Sequence, residues 1–234
     1  MRNMFFHQRI KRKTAEKPNK TDLVLILDRS GSMHGLERDT IGGYNSMLDK
    51  QRDGEGTVRV TTVLFDTDYE MLHNRQDIRT VEPMTERQYQ VRGCTALLDA
   101  IGRTIDEMVR AQRRSRPEDR ADKVLFVIIT DGMENSSHRY TMRQIRRMIE
   151  REKNEFGWEF LFLGANIDAI ATASQFGIGA DRAVNYHADS RGTALNYEAV
   201  GKAITHIRCN AAPMSAAWKV EIDEDFRSRE SDRR

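Results

Sequence analysis

Apolar and polar positions follow two rhythms along the chain. Near-continuous apolar runs occur at Leu23 to Leu27, Val58 to Phe65, Val124 to Ile129, Phe160 to Leu163 and Ala183 to Tyr186. Strands covered on both faces read this way, because neither face meets water. Between the runs, apolar residues recur every three or four positions: Ile41, Tyr44, Met47 and Leu48; Leu97, Ile101, Ile105 and Met108; Met142, Ile145, Met148 and Ile149; Ile167, Ile170 and Ala171; Val200, Ala203, Ile204 and Ile207. That spacing predicts amphipathic helices with one buried stripe each. Strands alternating with helices predict an α/β fold, a doubly wound sheet with helices on both faces. After Phe65 the turn-forming Asp66-Thr67-Asp68 predicts a hairpin that adds one antiparallel strand. The expected sheet is therefore mainly parallel and six-stranded. Asn74 to Val91 shows neither rhythm and is expected to be a surface excursion.

The 234 residues suit one domain, expected over residues 21–210. Residues 1–20 carry seven Lys/Arg against one Glu, a net +6 that leaves the rest of the chain at −4. This segment is expected to be a basic disordered tail. Residues 211–234 are dense in both charges and are expected to form a second charged tail. No apolar run nears the roughly 18 residues that a membrane span needs, and the N-terminus has no apolar stretch typical of a secretory signal. With only two cysteines, Cys94 and Cys209, and no paired spacing, a reducing cytoplasmic setting is the expectation.

The candidate chemistry follows the first strand, where the chain reads Asp28-Arg29-Ser30-Gly31-Ser32. Short oxygen side chains at alternate positions on a tight loop suit a hard cation such as Mg²⁺, with Mn²⁺ or Ca²⁺ as substitutes. Ligands of open α/β sheets bind beyond the carboxyl ends of the strands. Two further segments should reach that edge: Gly93-Cys94-Thr95, before a helix, and Thr130-Asp131-Gly132, after a strand. His34 and His138 belong to the same neighbourhood and, with Gly132, form the expected partner-facing rim.

These residues resemble the von Willebrand factor A domains that carry a metal-ion-dependent adhesion site, written DxSxS, then a distant Thr, then a distant Asp. Asp28, Ser30, Ser32, Thr95 and Asp131 match all five positions in order. The flanking words LILDRSGSM, GCTALLDAI and VIITDGMENSS are similar to the bacterial cytoplasmic branch, with Cys94 where that branch usually has Gly. The resemblance implies direct coordination by Ser30 and Ser32, by Thr95 in the ligand-bound state, and water-mediated roles for Asp28 and Asp131. It also implies an adaptor that docks a protein partner's Asp or Glu carboxylate on the metal.

An enzymatic reading fares worse. A phosphotransferase using Asp28 as nucleophile needs a second acid two residues later, and Ser30 stands there. No phosphate-binding glycine loop follows any strand, so no enzyme activity is expected. Asp66, Asp68 and Glu70 read as a charged hairpin turn. The alternative function is nucleic-acid association through the basic N-terminal tail and the Arg110, Arg113, Arg114, Arg116 and Arg120 segment.

Overall fold

The apolar runs do form strands in the computed structural model, which describes residues 19–209 and 213–231. The chain order is β1 (Lys20–Asp28), α1 (Glu37–Arg52), β2 (Thr57–Phe65), β3 (Tyr69–Asp77), α2 (Leu97–Arg114), β4 (Lys123–Thr130), α3 (Met142–Phe156), β5 (Glu159–Ala165), α4 (Ala169–Gln175), β6 (Ala183–Tyr186), α5 (Ser190–Cys209) and α6 (Val220–Ser231). The six strands make one sheet in the order β3-β2-β1-β4-β5-β6. Every pairing is parallel except β2 with β3.

β1 lies centrally, and residues Leu23 to Leu27 are at most 1% exposed. Successive side chains of a strand point to opposite faces, so β1 feeds two cores. Leu23, Leu25 and Leu27 pack with Tyr44 and Met47 of α1 and Val200 and Ile204 of α5. Val24 and Ile26 pack on the other face with Ile101 and Ile105 of α2 and Ile145 and Ile149 of α3. Fully burying one such side chain is worth about 1.5–3 kcal/mol.

Three expectations need correction or limits. The Asn74 to Val91 stretch is not a surface excursion. β3 runs to Asp77, and Ile78, Val81, Met84 and Tyr89 are each at most 2% exposed and join the α1 side of the core. Of the charged tail expected over residues 211–234, the described residues 213–231 are not simply a tail. Trp218 and Ile222 are buried, Trp218 Nε1 donates to the Asp181 carbonyl at 2.9 Å, and the Lys219 ammonium donates to the Ala183 carbonyl at 2.7 Å. Phe226 of α6 stacks on His187 with centroids 4.7 Å apart, and Arg229 pairs with Asp225 at 3.0 Å and with Asp189. The tail expected over residues 1–20 falls largely outside the described residues, and Lys20 already belongs to β1.

At the far side of the sheet, β3 pairs irregularly with β2, with register shifts on either side of Thr62. Arg75 there takes a left-handed backbone (φ 49°) and donates its N–H to Thr61 Oγ1 at 3.1 Å.

Candidate metal centre

Parallel pairing of β1 with β4 brings Asp28 and Asp131 to one edge. Leu27 sits opposite Ile129, so the strands end together. The Asp28 carboxylate accepts the Ser30 N–H at 2.7 Å on Oδ1 and the Thr130 hydroxyl at 2.6 Å on Oδ2. The Ser30 and Ser32 hydroxyls lie 3.2 Å apart, and Thr95 Oγ1 donates to Ser30 Oγ at 3.0 Å. Asp28, Ser30, Thr95 and Asp131 are at most 3% exposed. Thus all five predicted residues converge.

The loops are held in place by backbone. Arg29 N–H donates to the Phe65 carbonyl at 2.8 Å, Arg92 N–H to the Arg29 carbonyl at 2.9 Å, and Gly31 N–H to the Gly93 carbonyl at 3.2 Å. These bonds zip the Ser30–Ser32 loop to the segment that carries Thr95. Thr95 is fixed reciprocally, its N–H donating to Asn135 Oδ1 at 2.9 Å and its carbonyl accepting the Asn135 N–H at 3.1 Å. Glu134 accepts the Leu98 N–H at 2.8 Å and the Ser137 N–H at 2.7 Å. A carboxylate on the otherwise unpaired N–H groups of the first turn of α2 is also favoured by the helix dipole.

Both site carboxyls are held up by burial. Asp28 is raised despite its hydrogen bonds. Asp131 is pushed up to about 6 by burial, with Asp28 adding to the rise and the Asn166 amide opposing it. Among the described residues neither carboxylate has an ion-pair partner, since Arg29 turns away from Asp28 to Asp66 at 2.8 Å and Glu70 at 2.6 Å. Two close, buried, unpaired carboxylates are costly. Three hydroxyls beside them complete an all-oxygen donor set. Among the described residues no three His, Cys, Asp or Glu side chains converge, so a thiolate, imidazole or carboxylate-rich cage is absent there. The donors fit Mg²⁺ or Mn²⁺.

The three residues expected at the rim are placed differently. Gly132 lies against the donors themselves: a Cβ there would sit 3.1 Å from both Ser32 Oγ and Thr95 Oγ1. His34 is highly exposed and stands 3.3 Å from Glu37. His138 is exposed and bonds through its backbone N–H to Asp99 at 2.9 Å. No hydrogen bond joins either histidine to the five donors among the described residues. Asp66 and Glu70 serve the ion pairs to Arg29, with Arg92 also on Asp66 at 3.1 Å, as a charged hairpin turn should.

Several residues of the site escaped the sequence reading: Thr130, Asn135, Glu134, Asn166 and Tyr89. Tyr89 donates to the Asp28 carbonyl. Asn166 donates to Asp131 Oδ1 from a left-handed backbone (φ 55°), a conformation Asn tolerates better than most residues. At the opposite end of the sheet, Arg113 and Arg120 line a cleft of about 190 Å³ with Phe156 and Trp158, aromatics supplied from elsewhere in the chain.

A model of the von Willebrand factor type A domain matches residues 22–195. No curated protein matches in sequence. Among solved structures, the chain is similar to proximal thread matrix protein 1 of the mussel byssus with a zinc-occupied MIDAS motif, at 16% identity and TM-score 0.54, covering 80% of this chain and 46% of that one. It is similar to a von Willebrand factor type A protein from Catenulispora acidiphila at 14% identity and TM-score 0.53, covering 78% and 42%. It is also similar to the pilus adhesin SpaC from Lactobacillus rhamnosus GG in its open conformation, at 12% identity and TM-score 0.60, covering 80% and 30%. The chain spans less than half the length of each, and at these identities the likeness is one of fold.

Proposed function

The chain belongs to the von Willebrand factor type A domain family, and from that premise we propose that Asp28, Ser30, Ser32, Thr95 and Asp131 hold one Mg²⁺ or Mn²⁺ and offer it to an Asp or Glu carboxylate of a protein partner. The carrying observation is the cluster of three hydroxyls, with Ser30 3.2 Å from Ser32 and 3.0 Å from Thr95, beside two buried carboxyls with no ion-pair partner among the described residues. A bound cation there supplies a Lewis-acidic position for an anionic oxygen. Because Ser30, Ser32 and Thr95 are neutral, the side chains implied to coordinate directly bring no charge to the cation, and Asp28 and Asp131 act on it through water. Asn166 and Thr130 orient the two carboxyls. Thr95 stands two residues before α2, next to its N-cap Ala96, so a shift in its position on partner binding would be passed to that helix.

On this reading the protein is an adaptor of the bacterial cytoplasmic type and not an enzyme. Ser30 stands where an acid–base partner of Asp28 would be needed, and Cys94 and Cys209 are free thiols, as suits a reducing compartment. Isothermal titration tests the site: one Mg²⁺ or Mn²⁺ binds the wild type and none binds Asp28→Ala. Normal binding by that variant sinks the assignment. A pull-down with and without EDTA then tests the docking step.

The second reading, nucleic-acid association, draws on Arg113 and Arg120 beside the exposed Phe156. It predicts binding that weakens steeply with salt and ignores chelator.

A further inference from the structure

A separate cleft of about 370 Å³ opens beside the N-terminus of α2. It lies between the β2–β3 turn, Thr67 to Tyr69, and the first turns of α2 up to Arg103, with Arg139 closing it. We propose that this cleft is a second, anion-binding subsite for the partner, in which Arg103 and Arg139 take an acidic side chain adjacent to the one docked on the metal. The proposal rests on the metal-docking reading above and adds the chemistry of the partner segment.

Arg103 is pre-oriented. Its guanidinium carbon lies 4.0 Å from the centroid of the Tyr69 ring, and stacking on that ring fixes the plane of the fork. Its edge N–H groups are then presented to a planar carboxylate at small entropic cost. Among the described residues neither Arg103 nor Arg139 forms an ion pair, and both are exposed. Two carboxylates, Asp68 and Asp99, also line the cleft, and each has its own donors. Asp99 accepts the N–H groups of His138, Arg139 and Tyr140, each at 2.9 Å. Asp68 faces Arg92 at 3.7 Å. Ala96 and Ala100 keep the floor open.

The cleft and the metal centre share one rigid corner. Thr67 Oγ1 accepts the Cys94 N–H at 2.9 Å, and the Ala96 N–H donates to the Asp66 carbonyl at 2.9 Å. Thr95 of the metal centre and Ala100 of the cleft are five residues apart in the chain, and α2 begins between them at Leu97. Alternate side chains of an extended strand point the same way about 7 Å apart. The partner segment of this proposal is an extended one that carries two acidic residues on one face, two positions apart.

The test uses the full chain and two end-blocked peptides, Gly-Glu-Gly-Glu-Gly and Gly-Glu-Gly-Gln-Gly. With saturating Mg²⁺ the diacidic peptide should bind about fivefold or more tightly than the monoacidic one, as a charge-assisted bidentate contact provides. The Arg103→Ala/Arg139→Ala double variant should erase that preference and leave monoacidic binding unchanged. In EDTA, the Nε–Hε NMR signal of Arg103 should still shift with the diacidic peptide, whereas that of Arg146, already paired with Glu150 at 2.8 Å, should not. Equal affinity of the wild type for the two peptides, or an unmoved Arg103 signal, overturns the proposal. If monoacidic binding is indifferent to EDTA while Arg103 still responds, the metal reading has failed and the anion site stands.

Discussion

Replacing Gly132 by alanine separates metal binding from folding. The added Cβ would lie 3.1 Å from both Ser32 Oγ and Thr95 Oγ1, about 0.3 Å inside an ordinary contact. Both hydroxyls must withdraw by that amount, and Mg²⁺ demands near-ideal geometry at about 2.0–2.1 Å. A tenfold loss of affinity is the expected minimum, equivalent to about 1.4 kcal/mol. The fold itself has no cause to suffer, because Gly132 does not occupy the left-handed region. Gly→Ala at a compatible position stabilises by about 0.4–1 kcal/mol through the unfolded chain. Thermal melts of metal-free and metal-loaded protein read both effects. At a metal concentration of about 100 Kd the wild type gains about 2.7 kcal/mol, and a tenfold weaker site gains about 1.4 kcal/mol. At about 2–4 °C per kcal/mol for a chain of this size, the variant should lose about 3–5 °C of the metal-induced rise in Tm while its metal-free Tm stays level or climbs. A wild-type metal-induced shift in Gly132→Ala would refute the placement of the cation against these hydroxyls.

Acid should oppose metal binding. The Asp131 carboxyl, pushed up to about 6 chiefly by burial, holds a proton below that pH which the cation must displace. Affinity should therefore fall as pH drops through 6, and calorimetry in buffers of different ionisation enthalpy should detect the released proton. Without metal the sign reverses for this group: the folded carboxyl binds its proton more tightly than the unfolded one, so the metal-free fold gains stability between pH 6 and 4. A metal affinity that is flat across pH 6 contradicts both statements. Ile222→Ala in α6, where the side chain is 1% exposed, should cost about 2–5 kcal/mol in urea unfolding. A change within about 0.5 kcal/mol, the range of a surface substitution, would mean that α6 is not docked in solution.

The five donors were legible because each sits where an apolar run stops or a helical stripe begins, and those boundaries are local signals. The residues that orient them were not. Thr130 reaches Asp28 only through the β1–β4 register, and Asn166 reaches Asp131 only through the close of β5, so their roles emerge from pairing that no single segment encodes. Tyr89 was lost inside a stretch without periodicity, whose Ile78, Val81, Met84 and Tyr89 are spaced irregularly yet all turn inward. The C-terminal helix did carry a signal. Trp218, Ile222 and Phe226 recur every four residues, one stripe on one face, masked by the surrounding charges.

The two outer strands have a consequence for how this molecule can be approached. An open sheet normally offers its margins as templates for a further strand. Here the short β6 has its Ala183 carbonyl taken by the Lys219 ammonium and α6 packed alongside. β3 is broken by register shifts and by the left-handed Arg75, with Glu70, Arg75 and Asp77 along its length. Among the described residues neither side presents an uninterrupted ladder, which guards the fold against lateral aggregation and against partners that bind by extending the sheet. On the metal-docking reading, recognition then falls to the ends of the strands, and the molecule would be met end-on.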